Sequence, residues 1–127
     1  MPKKIIRSEN APAPVASYSQ AVQVGNLVFL SGQIALDPQT GQIVPGGVTE
    51  ETRQVLDNLG AVLAAASASF KEVVKVTVYL ADIGEFQAFN EVYAKYFTEE
   101  PPARVTIAAA GLPRNARVEI EAVALVE

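Results

Sequence analysis

The feature that most constrains the fold is a short apolar strand that is flanked in the sequence by two predicted helices. Thr49–Ala68 carries apolar residues at helical spacing, which predicts a helix with Thr49 as its N-cap. Val73–Leu80 (VVKVTVYL) follows as a strand, and Asp82 with Glu85 resembles a capping box that opens a second helix. Because strand–helix–strand crossovers are right-handed, we expect both helices on one face of a single sheet.

Further strands are predicted before and after this unit. They are short β-type runs bounded by turn residues, over 3–7, 18–24, 27–32, 104–110 and 117–126. Gly25-Asn26 between two of them is a hairpin signal. With 127 residues and no linker, residues 1–127 are predicted to form one α+β domain.

The helix-free face of this sheet is expected to be covered as well. One face of the strand reads Val74, Val76, Val78 and Leu80, whereas the opposite face mixes Val73, Lys75, Thr77 and Tyr79. A sheet with one solvated face alternates more cleanly between apolar and polar residues. We therefore predict that this face is largely buried against other copies of the chain.

Composition and charge exclude several classes of function. The chain has no His, Cys or Trp, which excludes Ser-His-Asp and Cys-His catalysis, thiol chemistry and ordinary zinc sites. Proton transfer would fall to Asp, Glu, Lys, Tyr or water. A net charge of −4 gives no support for capture of nucleic acid or of anionic membranes. The first ten residues (MPKKIIRSEN) lack the apolar segment of a signal peptide, so a cytoplasmic location is expected.

Three places could carry chemistry, and each has a structural alternative. Arg104 enters an uncharged run after Pro101-Pro102, where it is a structural ion pair, a charge at a strand edge, or a group that binds a ligand carboxylate. Glu119 and Glu121 share one face of the last strand with Arg117. Both glutamates are ordinary solvated surface residues if that face is exposed, whereas a half-buried Glu119 could act as a base. Ser31-Gly32 ends an apolar strand, as a bulge or as a close backbone approach to a ligand.

The chain resembles the RidA/YjgF family of enamine/imine deaminases over essentially its whole length. The resemblance rests on these segments taken together: YSQA (18–21), GNLVFLSGQ (25–33), VVKVTVYL (73–80), FNEVY (89–93), PPAR (101–104), LP (112–113) and VEIEA (118–122).

This resemblance implies a chorismate-mutase-like fold, a single mixed sheet with two helices on one face, and a homotrimer with sites between subunits. It implies cofactor- and metal-independent hydrolysis of 2-imino acids, the tautomers of 2-aminoacrylate and 2-aminocrotonate, to 2-oxo acids and ammonia. Pyridoxal-phosphate dehydratases release these compounds, so the reaction would protect pyridoxal-phosphate enzymes.

Site residues follow from the same resemblance. Arg104 matches the carboxylate-binding arginine and Glu119 the glutamate that positions water. The matching pocket positions are Tyr18, Ser31, Gly32, Asn90 and Thr106, the last standing where many bacterial relatives have Cys.

The separation of Arg104 and Glu119 leaves two arrangements open. In a simple hairpin of the last two strands, Glu119 would pair near Ala108, about 13 Å from Arg104 at the rise of a strand. A small imino acid cannot bridge that distance. Either the two strands are not direct neighbours, or the two groups come from different chains.

Two other functions compete with deamination. The first is a binding module, in which a regulatory or chaperone-like trimer holds a small carboxylate without turnover. The second is RNA cleavage or inhibition of translation, which some relatives are said to perform and which the acidic, His-free composition opposes.

Overall fold

The computed structural model describes residues 2–127 and contains six strands and two α-helices. In chain order they are β1 (Lys4–Ile6), β2 (Ala21–Val24), β3 (Leu27–Gln33), α1 (Gly47–Ala65), β4 (Val73–Leu80), α2 (Phe86–Tyr96), β5 (Ala103–Ala108) and β6 (Val118–Leu125). Short 3₁₀ turns precede β4, α2 and β6. The element order is the one that the sequence predicts, with shorter outer strands.

All six strands form one mixed sheet in the order β1-β2-β3-β6-β4-β5. Every neighbouring pair is antiparallel except β4 and β5, which run parallel and are connected through α2. The Gly25-Asn26 hairpin between β2 and β3 is confirmed by the pairing of Val24 with Leu27. Because β4 lies between β5 and β6, the last two strands are not direct neighbours, which confirms the first of the two arrangements considered above.

Both helices pack on one face of the sheet, as predicted. The α1 side chains Val55, Leu56, Leu59, Val62 and Leu63 are buried there. They belong to one apolar core with inward residues of the central strands, namely Val28, Leu30, Val76, Val78, Val118 and Ile120. Burial of each such side chain contributes about 1.5–3 kcal/mol, so this layer holds the sheet and helices together.

The first helix begins earlier than its capping signals predict. Gly46 is the N-cap residue with φ of 116°, a left-handed conformation that suits glycine, and Thr49 lies inside the helix. The prediction of Thr49 as N-cap is therefore wrong. The helix also ends at Ala65 rather than Ala68, because Ser67 takes a left-handed φ of 59°.

The predicted capping box at the second helix is also wrong. The Asp82 carboxylate accepts a hydrogen bond from the Gly84 N–H at 2.8 Å and caps a 3₁₀ turn instead. The Glu85 carboxylate binds the Arg117 side chain at 2.6 and 2.9 Å. The α-helix proper then starts at Phe86.

A register shift in β4 changes which valine enters the core. Between Val73 and Lys75 the pairing with β6 is irregular, so Val73 is 5% exposed and Val74 is 45% exposed. The expected inward set that begins with Val74 is wrong at its first residue and correct at Val76, Val78 and Leu80.

The helix-free face, which we call the open face, carries exposed apolar side chains on five of its strands. Each of these is between 37% and 53% exposed: Ile5, Val24, Leu27, Phe29, Val105, Ile107 and Leu125. Exposed apolar side chains in this number on one face are typical of an interaction surface. That copies of the chain cover it remains a prediction.

Within residues 2–127, neither helix is long and apolar enough to cross a lipid bilayer.

Candidate functional site

Arg104 lies on the edge strand β5 with its guanidinium against helix α2. Its Cζ atom is 4.6 Å from the centre of the Tyr93 ring, 5.4 Å from Phe86 and 5.9 Å from Phe89. Its Nη1 donates a hydrogen bond to the Asn90 Oδ1 at 2.7 Å. Positions 86, 89, 90 and 93 share one helix face because they are three or four residues apart. This face of α2 therefore supplies both the three aromatic rings around the guanidinium, which we call the aromatic cradle, and the Asn90 amide that binds it.

No acidic partner neutralises Arg104 among the residues that the structure describes. The ion pairs found there join Arg53 to Glu50 and Arg117 to Glu85. The ion-pair alternative therefore has no partner within residues 2–127, whereas the strand-edge alternative agrees with the position of β5 at the edge of the sheet. That Arg104 binds a ligand carboxylate remains a prediction. A half-buried cation held by aromatic faces and one neutral amide keeps most of its N–H donors available for an anion.

Two buried hydroxyl groups accompany this arginine. The Tyr93 Oη and Thr106 Oγ1 atoms have no hydrogen-bond partner within residues 2–127. Thr106 lies two residues after Arg104 on β5 and therefore on the same face of the sheet. Burial raises the pKa of Tyr93, and the charge of the adjacent Arg104 opposes that rise. Arg104, Asn90 and Thr106 thus form one group of the predicted site residues.

Glu119 belongs to a second group, built around a bulge in β3. The pairing of β3 with β6 shifts between Leu30 and Gln33, which confirms the bulge expected at Ser31-Gly32. A Cβ atom at position 32 would lie 3.1 Å from the Glu119 Cδ and would collide with its Oε2. Glycine at this position therefore makes room for the carboxylate.

Desolvation and a like charge act on this carboxylate. Glu119 is half-buried, and burial raises its pKa above the ordinary value of 4.5, with a smaller contribution from Glu121. Glu121 itself accepts a hydrogen bond from the Tyr79 hydroxyl at 2.8 Å. Glu119 therefore does not lie on a fully solvated edge, and a carboxyl with a raised pKa is suited to accept and return protons. Its role as a base remains a prediction.

Ser31 fastens the segment that precedes β2 to this group. Its Oγ donates to the Ser19 carbonyl oxygen at 2.6 Å, and its N–H donates to the Gln20 carbonyl oxygen at 2.9 Å. Tyr18, next to Ser19, remains 47% exposed. These contacts bring Tyr18, Ser31, Gly32 and Glu119 to one place.

A cavity of about 530 Å³ lies beside them. Its wall is mostly apolar and includes four predicted residues together with two further charges, Glu121 and Arg114. The lining residues are Pro12, Ala13, Val15, Ala16, Tyr18, Ser31, Gly32, Gln33, Ile34, Leu36, Pro113, Arg114, Glu119 and Glu121. Arg104, Asn90 and Thr106 are not among them.

The two groups of residues lie on opposite faces of the sheet. Arg104 aligns with Val76, whose side chain is in the core between sheet and helices. Glu119 aligns with Tyr79, three residues further along the same strand and so on its other face. One chain therefore holds both groups but cannot place them around one small molecule.

The structure adds contacts around the site that the sequence patterns do not indicate. Arg117 lies one residue before β6, and its side chain pairs with Glu85. Arg114 reaches the cavity through a turn whose conformation no local pattern indicates. Aromatic residues at helical spacing on α2 are typical of a core stripe, and here the same spacing of Phe86, Phe89 and Tyr93 also provides the Arg104 cradle.

From residue 2 to residue 127, no group of three or more His, Cys, Asp or Glu side chains is arranged to hold a metal ion.

Comparison with known proteins identifies the family. Residues 8–126 match the model of the family described as endoribonuclease L-PSP. The chain is 52% identical to the mouse (Mus musculus) protein named 2-iminobutanoate/2-iminopropanoate deaminase, over 97% of this chain and 91% of the mouse protein.

Solved structures agree with this match. RidA from an Antarctic Psychrobacter superposes with a TM-score of 0.94 at 40% identity, over 97% of this chain and 99% of that one. TdcF from E. coli, solved with bound serine, gives 0.93 at 39% identity, over 98% and 99%. The mixed six-stranded sheet, its two helices and these matches together show that the chain belongs to the RidA/YjgF family, whose family model is described as endoribonuclease L-PSP.

Proposed function

We propose that this protein hydrolyses 2-imino acids, the products of amino-acid elimination chemistry, to 2-oxo acids and ammonia. The observation that carries the proposal is the Arg104 guanidinium, which is fixed by the α2 cradle and by Asn90 but neutralised by no carboxylate of the described chain. Such a group binds a substrate carboxylate through two parallel hydrogen bonds.

The chemistry requires little more than this clamp and one base. The iminium carbon is an electrophile, so a water oxygen bonds to it while the C=N π electrons move to nitrogen. Glu119, whose pKa burial raises, accepts the proton that this water loses. In the tetrahedral intermediate, Glu119 returns this proton to the amine nitrogen. The hydroxyl oxygen then loses its own proton to water as the C=O bond forms, the C–N bond breaks and ammonia leaves.

Two relatives support this substrate class. The mouse protein is named for deamination of 2-iminobutanoate and 2-iminopropanoate, and E. coli TdcF holds serine, a small amino acid with the same carboxylate. Dehydratases that use pyridoxal phosphate release such imino acids from serine and threonine. We extend the proposal to protection of pyridoxal-phosphate enzymes, which these electrophiles would otherwise modify.

A complete site needs two copies of the chain. Arg104 and Glu119 occupy opposite faces of one sheet, so Arg104 of one protomer would meet Glu119 of a neighbour. The open face supplies seven large exposed apolar side chains for that contact. A closed ring of three identical contacts, the homotrimer that the sequence resemblance implies, would create three such sites.

A coupled assay tests the activity. A serine or threonine dehydratase supplies the imino acid, and release of the 2-oxo acid is followed with and without this protein. We expect acceleration that Arg104→Ala abolishes and that Glu119→Gln reduces about 10²–10⁴-fold. Equal rates with and without the protein would contradict deamination and favour the binding module.

Mixing the two variants tests the shared site. Arg104→Ala and Glu119→Gln chains are co-refolded at equal amounts, with each variant refolded alone as the control. Random assembly would put an intact Arg104 opposite an intact Glu119 at about a quarter of the sites, so about a quarter of the wild-type rate should return. A mixture as inactive as its components would contradict a site built from two chains.

The description of the matching family model supplies the second candidate, RNA cleavage. The charges oppose it, since the chain carries a net charge of −4 and the cavity beside Glu119 contains Glu121 as well. RNA degradation by purified wild type that disappears in both the Arg104→Ala and Glu119→Gln chains would support this candidate. Degradation that persists in both variants would indicate contamination or another surface.

A further inference from the structure

Arg114 occupies a strained position at the wall of the Glu119 cavity. It lies in the 3₁₀ turn Pro113–Asn115 with φ of 59° and ψ of 26°, and the next residue, Asn115, has φ of 56°. A side chain with a Cβ atom is disfavoured in this left-handed region. Arginine in this region costs stability, whereas asparagine adopts it readily, and strain of this kind collects at functional sites.

The strained turn directs the Arg114 side chain to a defined place. Its Nη1 donates a hydrogen bond to the Gly41 carbonyl oxygen at 2.8 Å, 73 residues away in sequence. This contact holds the guanidinium beside the cavity, and no carboxylate of residues 2–127 forms an ion pair with it. The remaining N–H donors are therefore available to a ligand.

Charge gives this placement its significance. The cavity is lined by two carboxylates, Glu119 and Glu121, and the one cation among its described lining residues is Arg114. Every 2-imino acid carries a carboxylate, which the two glutamates would repel. A guanidinium at the wall offsets that repulsion and raises the local concentration of anions.

We propose that Arg114 is a second substrate-binding cation, which attracts the 2-imino acid anion into the cavity before Arg104 of a neighbouring protomer clamps it. The inference rests on the proposed deamination and assigns Arg114 to binding, whereas Glu119 serves the chemical step. Its effect falls on substrate capture, so it should change KM and its dependence on salt while leaving kcat nearly constant.

Steady-state kinetics with Arg114→Ala, Arg114→Gly and Arg114→Lys test this. At low ionic strength we expect the Ala and Gly variants to raise KM about five- to tenfold with kcat within about twofold, and the Lys variant to restore most of the loss. The difference should shrink near 0.5 M salt, because screening weakens the interaction of exposed charges. Arg53→Gln, an exposed arginine outside the cavity that changes the net charge equally, is the matched control and should behave as wild type.

Comparison of Ala with Gly separates the charge from the backbone. Glycine accepts a positive φ without penalty, so Arg114→Gly should melt a few degrees above Arg114→Ala. A purely structural role of the turn would then make KM follow stability. Equal KM values in two variants of unequal stability would support the charge as the cause.

Failure of this inference is distinguishable from failure of the proposed function. If wild type turns over but the Ala and Gly variants keep its KM and salt dependence, the role of Arg114 is overturned and deamination stands. If wild type shows no turnover, the role of Arg114 is tested by calorimetric titration with 2-oxobutanoate, which has the carboxylate of the 2-imino acid and an oxygen in place of its nitrogen. Weaker, salt-dependent binding in the Ala and Gly variants would then support Arg114, and unchanged or undetectable binding would overturn it.

Discussion

The two faces of the sheet prepare their functional groups in opposite ways. On the helix-covered face, Arg104 is held by contacts, with three aromatic rings below it and the Asn90 amide at its edge. On the open face, Glu119 is accommodated by the missing side chain of Gly32. A cation that binds an anion through directed hydrogen bonds needs a fixed orientation. A base that accepts and returns protons needs space and partial removal from water, which raises its pKa.

This difference shows why neither face is sufficient alone. The helices supply rigid support for Arg104 but fill the space above the sheet, as the buried Tyr93 and Thr106 hydroxyls show. The open face leaves a cavity of about 530 Å³ but carries Glu121 beside Glu119. Each face provides what the other lacks, which favours a site shared between protomers.

Removal of the cation should have the largest effect. Arg104→Ala should lower kcat/KM about 10²–10⁴-fold, because two hydrogen bonds to a charged group are lost at about 1.5–3 kcal/mol each. Arg104→Lys keeps the charge without the fork and should recover only part of the rate. Steady-state kinetics check this, and full activity in Arg104→Ala would contradict the role of the helix-covered face.

Filling the gap on the open face should be the next largest. Gly32→Ala places a Cβ atom against the Glu119 carboxylate, which must move, so kcat should fall about 10²-fold. Gly111→Ala is the matched control, since a Cβ atom at that position meets nothing within 4 Å. An unchanged kcat in Gly32→Ala would show that the carboxylate does not depend on this space.

Weakening the aromatic support should be smaller. Tyr93→Leu removes the ring nearest to the guanidinium and should reduce kcat/KM about tenfold, mostly through KM, whereas Tyr93→Phe keeps the ring and should stay near wild type. Tyr96→Leu removes a ring of the same helix that does not contact Arg104 and serves as control. If all three variants lose activity equally, the ring acts on the helix and not on the arginine.

The smallest predicted effect concerns stability. Because burial raises the native pKa of Glu119, the folded state binds its proton more tightly than the unfolded chain, and the ionised form destabilises the fold. This penalty is complete above the native pKa and absent below 4.5, the ordinary value. In thermal unfolding at pH 8, Glu119→Gln should therefore melt a few degrees above wild type. At pH 4 the two proteins should melt at the same temperature.

Sequence periodicity was sufficient for the architecture. Helix α1 and strand β4 carry patterns of different period, and crossover handedness then places both helices on one face. The same periodicity could not decide whether Val73 or Val74 enters the core. Both candidates are valine, and the bulge that decides between them depends on pairing with β6. The N-cap at Thr49 was predicted from residue type, which does not reveal the left-handed backbone angle with which Gly46 starts the helix.

The site was predictable only in its parts. Arg104 and Glu119 were candidates from their sequence surroundings and received their roles from the family resemblance. Their placement on opposite faces depends on β4 lying between β5 and β6, which is a long-range property of the sheet. The cradle required knowing that β5 passes α2, and Arg114 required the conformation of its turn. Contacts between distant segments decide such features, and local pattern does not contain them.

If copies of the chain cover the open face, as proposed, its exposed apolar side chains link abundance to turnover. A newly synthesised chain would carry half of each of two centres and would be inert until it met its own copies. Under the proposed assembly, the rate per chain should decline on dilution, and the melting temperature should climb with protein concentration by mass action. A cell that makes little of this protein would gain almost no detoxifying capacity, so expression level would act as a threshold.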